Sequence, residues 1–158
     1  MTLDEKTIGL AGLGASGLGW LTKQFCQSNI GYDILTGMGL EPGEIVYGMG
    51  VSEIVAFGGL LAALYGGTKW LTKKVYNKPN QETIGNLTGA WTATYALNQL
   101  THNPELLNKF RETLYSVDSY SPALEDLART TSQAGVYILP VFITLGIITG
   151  LFAKKEDK

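Results

Sequence analysis

The sequence predicts an all-α integral membrane protein with two transmembrane helices, a third candidate membrane helix rich in glycine near the amino terminus, and an extramembrane connection made of short helices. Two observations predict this class. Of the 158 residues, 45% are hydrophobic and only 16% are charged, which is too apolar for an ordinary soluble domain of this length. The apolar residues are also gathered into long stretches that are flanked by lysine or arginine.

Charge and composition argue against several classes of function. The net charge of −2 at pH 7 argues against nucleic-acid binding, which depends on concentrated lysine and arginine. The chain has one cysteine, Cys26, and one histidine, His102, so it offers neither a disulfide framework nor a thiolate or imidazole cluster for zinc, haem or iron–sulfur. We therefore predict no enzyme activity, no cofactor, no metal and no nucleic-acid partner.

The amino-terminal segment, residues 1–44, contains an apolar stretch at 7–22 with five glycines. At 16 residues it is short for a full crossing, so three interpretations stay open: a span completed by residues 24–30, a re-entrant or interfacial helix, or a helix packed against other subunits. Residues 12–17 also match the dinucleotide pattern G-x-G-x-x-G, with Asp33 placed as the ribose ligand. No strand pattern surrounds them, so we do not assign a nucleotide site.

Residues 45–72 form the first predicted transmembrane helix. The segment ends in residues typical of a membrane interface, Trp70 followed by Lys73 and Lys74, which serve as anchors. Glu53 is the one acid within the apolar part. A carboxylate inside a membrane is costly unless it is paired, protonated or wet, so Glu53 is either a functional intramembrane acid or the boundary of the helix at headgroup level.

Residues 73–132 are predicted to be an extramembrane region of amphipathic helices. Asn103-Pro104 and Ser121-Pro122 are helix starts, since each pairs a capping side chain with a proline at the first helical position. The segment 83–100 is a further helix, weakened by two glycines. We expect these helices to pack on protein more than on lipid, because the region carries balanced charge.

Residues 133–153 form the second predicted transmembrane helix. There is no charge from 130 to 153, and Arg129 and Lys154 flank the stretch. About 20 residues at about 1.5 Å each span the hydrocarbon layer of about 30 Å. Pro140 removes one backbone donor and predicts a kink. We expect the charged tail 154–158 to be solvated. If the chain crosses twice, the lysines of the tail and the group Lys69, Lys73, Lys74 and Lys78 lie on opposite sides of the membrane, so the positive-inside rule leaves the orientation open.

Small residues recur every four positions on the predicted spans, which is typical of faces where helix backbones approach closely in lipid. The predicted helix-packing residues are Gly58, Ala62 and Gly66 on one track, Gly59, Ala63 and Gly67 on a second, and Gly146 with Gly150 in the last span. They favour a non-catalytic structural subunit of a larger membrane assembly, whose partners are the lipid bilayer and either other subunits or copies of itself. The alternatives are a homo-oligomeric pore or holin-like permeabiliser, and a membrane structural protein of a virion or vesicle coat.

Overall fold

The computed structural model describes residues 4–153, and this part of the chain is entirely helical. The all-α prediction is therefore confirmed, with six helices and no strand over that range. The helices are α1 (Glu5–Gln27), α2 (Asn29–Gly37), α3 (Pro42–Val75), α4 (Gln81–His102), α5 (Pro104–Ser116) and α6 (Pro122–Phe152).

Capping side chains mark the starts of α1, α2, α3 and α5. The helix α6 begins at Pro122 as predicted, but the Ser121 side chain makes no capping hydrogen bond. The carboxylate of Asp4 accepts the backbone N–H of Thr7 at 2.6 Å and caps α1. At the start of α3, Glu41 and Glu44 form a reciprocal capping box. Asn103 caps α5, which starts with proline as predicted.

Four of the helices form an antiparallel row in the order α1, α3, α4, α6. Each packs on its neighbour in the row, and in the part of the chain that the structure describes α4 is the only helix whose backbone lies close to α6, while α5 reaches α6 through side chains. The shorter α5 packs across α3 and α4, and α2 packs on the end of α1 and touches α3. We call these four helices the helix row.

The row has two distinct ends. At one end α1 and α4 begin while α3 and α6 finish, and this end is called the lysine-rich end because Lys69, Lys73, Lys74 and Lys78 lie there. The opposite end carries α2 and α5 and is called the α5 end. It follows that α3 and α6 run in the same direction, from the α5 end to the lysine-rich end.

Two described helices, α3 and α6, are long and apolar enough to cross a membrane by length and composition. Their apolar side chains are largely uncovered: only 22% of the apolar window in α3 and 6% of that in α6 is buried within the chain. The buried hydrophobic residues are few and lie mostly near α5 and in α4. Within residues 4–153, no large apolar core therefore encloses these two helices.

Candidate functional site

The closest helix contact joins α1 to α3 through small residues on both helices. A Cβ added at Gly59 would lie 2.5 Å from the backbone nitrogen of Ser16 and 2.6 Å from the carbonyl oxygen of Gly12. A Cβ added at Gly12 would in turn lie 2.5 Å from the nitrogen of Ala63. The two backbones thus touch directly, with no room for a side chain between them.

A seven-residue spacing underlies this contact. Small buried residues recur on α1 at Gly12, Gly19 and Cys26, and on α3 at Ser52, Gly59 and Gly66. Repetition every seven residues keeps one seam of each helix facing the other, as in an antiparallel coiled coil. Because the seam residues are small, the helices approach much more closely than leucine would allow.

The remaining residues of the predicted tracks divide into covered and open positions. Gly66 lies on the seam, where an added Cβ would be 2.5 Å from the nitrogen of Gly9. The carbonyl carbon of Ala62 lies 3.0 Å from a Cβ added at Gly12. Gly58 and Gly67 have open space at the position of a Cβ. The α1 helix of the same chain therefore covers members of both predicted tracks, Gly59 and Ala63 of one and Ala62 and Gly66 of the other, and leaves Gly58 and Gly67 uncovered.

Glu53 lies at the α5 end in a small polar cluster. Lys23 of α1 donates to one carboxylate oxygen of Glu53, and the Thr113 hydroxyl of α5 donates to the other. Both charged side chains are about two-thirds covered, with 27% of Lys23 and 32% of Glu53 exposed. The carboxylate is thus neutralised by a cation that lies 30 residues away in the sequence.

A cleft of about 510 Å³ adjoins this cluster between α1, α3 and α5. Its walls are mostly apolar and include Trp20, Phe57 and Phe110, while Lys23 and Glu53 line its polar side. Lys23, Glu53 and Thr113 are bonded to one another, and the lining residue Lys109 pairs with Glu105. We assign it no reaction.

The predicted glycines of α6 pack against α4 and the turn before it. Gly146 faces the Ile84 side chain, and Gly150 faces Tyr76 and Asn80. The Asn80 amide donates to the Gly146 carbonyl oxygen at 2.6 Å. These two glycines therefore serve a contact within the chain, where a polar side chain reaches the α6 backbone.

Pro140 leaves one carbonyl of α6 without its usual partner. In a regular helix the N–H of residue 140 would bond to the carbonyl of Val136, four residues earlier, and proline has no N–H. The Trp91 indole N–H of α4 donates to that carbonyl at 3.3 Å. The acceptor freed by the proline is thus satisfied by a neighbouring helix, which is one way in which proline is tolerated inside apolar helices.

The lysine-rich end is held by a chain of ion pairs across three helices. Lys73 lies 2.7 Å from both Glu5 and Glu82, and Lys69 lies 2.6 Å from Glu82. Hydrogen bonds from Lys69 and then Lys73 lower the pKa of the Glu82 carboxyl. The predicted anchors thus have different surroundings, since Lys73 is ion-paired while the Lys74 ammonium lies 4.6 Å from the Trp70 ring centre.

A further ion pair, which the sequence interpretation missed, connects α5 to α6. The Arg111 guanidinium donates two hydrogen bonds of 2.7 Å to the two oxygens of Glu125, and Tyr120 donates a third to this carboxylate at 3.2 Å. The carboxylate raises the pKa of Arg111 above its ordinary value. A bidentate arginine–carboxylate pair adds geometric specificity as well as energy, so this pair constrains the orientation of α6 relative to α5. In the sequence, the signal for this pair is that Arg111 and Glu125 carry opposite charges and lie 14 positions apart.

Among residues 4–153, no three histidine, cysteine, aspartate or glutamate side chains come together as metal ligands. Comparisons of the chain with protein families, with curated proteins and with solved structures give no match. We therefore infer function from the geometry described above.

Proposed function

We propose that this chain is an integral membrane protein with a structural, non-catalytic role, acting as a small subunit of a larger membrane assembly. The observation that carries the proposal is the exposure of α6, whose apolar window is only 6% buried. Tyr137, Val141, Phe142 and Leu145 each expose more than half of their surface. A core helix of a soluble protein would bury these side chains, whereas lipid is the natural solvent for them.

The polar groups support a structural role. The charged clusters at both ends of the helix row are paired within the chain, and the Glu53 carboxylate has both oxygens engaged. Such pairs hold helices in register. A pore in which a free Glu53 lines a wet lumen fits this geometry less well, because Lys23 neutralises the acid.

The two edges of the helix row are the surfaces that we assign to assembly. In the described part of the chain, α1 and α6 each have one neighbour in the row, so each leaves a long face open. On α1, Gly14 and Gly17 have nothing within 4 Å of an added Cβ, which lets another backbone approach. Gly59 and Gly66 are not available for this purpose, since α1 covers both of them.

Native mass measurement after extraction in mild detergent tests the proposal. We expect a fixed stoichiometry with other subunits or with copies of the chain. Gly14→Leu with Gly17→Leu should dissociate the assembly while the helix content of the monomer is kept. Gly43→Leu is the matched control, because that glycine is also open but lies outside the apolar part of α3.

Three outcomes contradict the proposal. A chain that stays monomeric and dispersed in buffer without detergent is not a membrane protein. A conductance in planar bilayers that Glu53→Gln alters would favour the pore. Recovery in regular arrays or particles, instead of a complex of fixed size, would favour a coat protein.

A further inference from the structure

The direction of the helices sets how often the chain crosses a bilayer. Both apolar helices, α3 and α6, run from the α5 end to the lysine-rich end. Two successive crossings in the same direction require a return crossing between them, and α4 is the element that runs back. We infer that the chain crosses four times, through α1, α3, α4 and α6, with its lysine-rich end on the anionic cytoplasmic leaflet. The inference rests on the proposed membrane location, and it replaces the expectation that residues 73–132 lie wholly outside the membrane.

An uncharged belt runs across all four helices of the row. It comprises residues 7–22 in α1, 54–68 in α3, 83–101 in α4 and 130–153 in α6. The belt is bounded at the α5 end by the Lys23–Glu53 pair and at the lysine-rich end by the pairs of Lys73 with Glu5 and Glu82. Sixteen residues of α1 rise about 24 Å. That is slightly less than the hydrocarbon layer, and boundary lysines can extend toward the headgroups.

The α4 helix is too polar to be detected by hydropathy, yet several of its polar side chains are hydrogen-bonded within the row, whereas the Asn98 amide oxygen is buried without a hydrogen-bond partner. Thr88 shares a hydrogen bond of 2.8 Å with Thr72, and Asn86 accepts one of 3.0 Å from Tyr65. The hydroxyls of Thr92 and Thr94 donate back to carbonyls four residues earlier. Polar side chains that are satisfied in this way can be accommodated in a membrane helix and join it to its neighbours.

Close backbone contact fixes α4 at the depth of α3. A Cβ added at Gly89 would lie 2.7 Å from the carbonyl oxygen of Tyr65, and one added at Gly85 would lie 3.2 Å from the Lys69 side chain. On its other side, α4 reaches α6 along the length from Asn80 to Thr101. Because α4 lies between two apolar helices, it cannot leave the bilayer while they remain in it.

Charge assigns the orientation. Eight of the twelve lysine and arginine residues belong to the lysine-rich end, when the tail that follows α6 in the sequence is counted with it. They are Lys6, Lys69, Lys73, Lys74, Lys78, Lys154, Lys155 and Lys158. The α5 end has four basic and nine acidic residues. Lysine and arginine remain on the cytoplasmic side of membrane proteins and are attracted to anionic headgroups there. Four crossings place both lysine clusters on one side and remove the conflict that two crossings create.

Cysteine labelling of the full chain in intact bacterial cells tests the inference. In a Cys26→Ser background, a single cysteine replaces either Asn77, in the turn between α3 and α4, or Ser119, between α5 and α6; both positions are exposed. A membrane-impermeant maleimide should label the Ser119→Cys chain from outside. It should label the Asn77→Cys chain only after the membrane is permeabilised. Ala93→Cys, in the middle of α4, should stay unlabelled until detergent is added.

The outcomes separate this inference from the proposed function. Labelling of positions 77 and 119 from the same side, in a chain that resists carbonate extraction from the membrane, would overturn the four crossings and leave the membrane location intact. Labelling from opposite sides with Asn77→Cys outside would overturn the orientation. Recovery of the chain in the soluble fraction would overturn both proposals.

Discussion

The contact between α1 and α3 makes Gly59→Ala a sharp perturbation, because one methyl group must enter a space that two backbones already fill. The added Cβ would lie 2.5 Å from the Ser16 nitrogen, whereas ordinary contacts begin at 3.4 Å. The two helices would have to separate by about 0.9 Å locally, or the seam would have to shift. The neighbouring Gly58 has nothing within 4 Å of an added Cβ, so Gly58→Ala makes the same chemical change without the clash.

The difference between these two variants isolates the steric cost. Both gain the same helix propensity, up to about 1 kcal/mol for glycine to alanine, so that contribution cancels between them. Forcing a methyl group into a closely packed contact costs about 1–3 kcal/mol. Gly59→Ala should therefore be less stable than Gly58→Ala by this amount, which is about 5- to 160-fold in the unfolding equilibrium.

Unfolding in mixed micelles with increasing sodium dodecyl sulfate, followed by circular dichroism, measures the difference. Gly67→Ala, which is also open, should behave like Gly58→Ala. If Gly59→Ala and Gly58→Ala unfold within about 0.5 kcal/mol of one another, the direct backbone contact is wrong, since surface substitutions alone vary by that much.

Three further predictions follow from the polar contacts. Trp91→Phe should destabilise the chain by about 1–3 kcal/mol, because it leaves the part-buried carbonyl of Val136 unpaired. In a Pro140→Ala background the new N–H replaces the indole, so the loss should shrink, and an equal loss in both backgrounds would refute this role. Glu53→Gln should lower the free energy of unfolding by about 1–3 kcal/mol, because it leaves Lys23 without its counter-charge. The double variant Lys23→Met with Glu53→Leu should recover most of this stability. A double variant as unstable as the single one would show that the pair does not act as a unit. The pKa of Glu82 is lowered in the folded chain, so its ion pairs stabilise the fold above its ordinary pKa of 4.5 and are lost as the pH falls below that value. The unfolding midpoint should therefore drop between about pH 5 and about pH 3. Glu82→Gln should make this drop smaller, and an unchanged pH dependence would exclude Glu82 as its source.

Local sequence signals predicted much of the helical framework. The cap at Asn103 and the proline at the start of α5 act over three or four residues, so they can be identified without knowing the fold. The apolar stretches of α3 and α6 are equally local, since hydropathy sums over neighbouring residues. The missing donor at Pro140 could be predicted from the residue alone.

The contacts between helices could not be predicted in the same way. Lys23 and Glu53 are 30 residues apart, and nothing near either residue indicates that α1 runs beside α3. The glycine tracks show that α3 can be approached closely, but the seven-residue seam appears only when α1 is set against it. The inferred crossing by α4 could not be predicted from hydropathy, because its hydroxyl and amide groups lower its hydropathy, and the bonds that several of them make to neighbouring groups are visible only in the fold.

The seam between α1 and α3 has a consequence for how the chain is made. During synthesis α1 leaves the ribosome before α3. The residues of α1 that face α3 are small, and its glycines give it a weak intrinsic helix propensity. We therefore expect α1 to become a stable helix only once α3 has been made and packs against it, so that the two form as one helical hairpin.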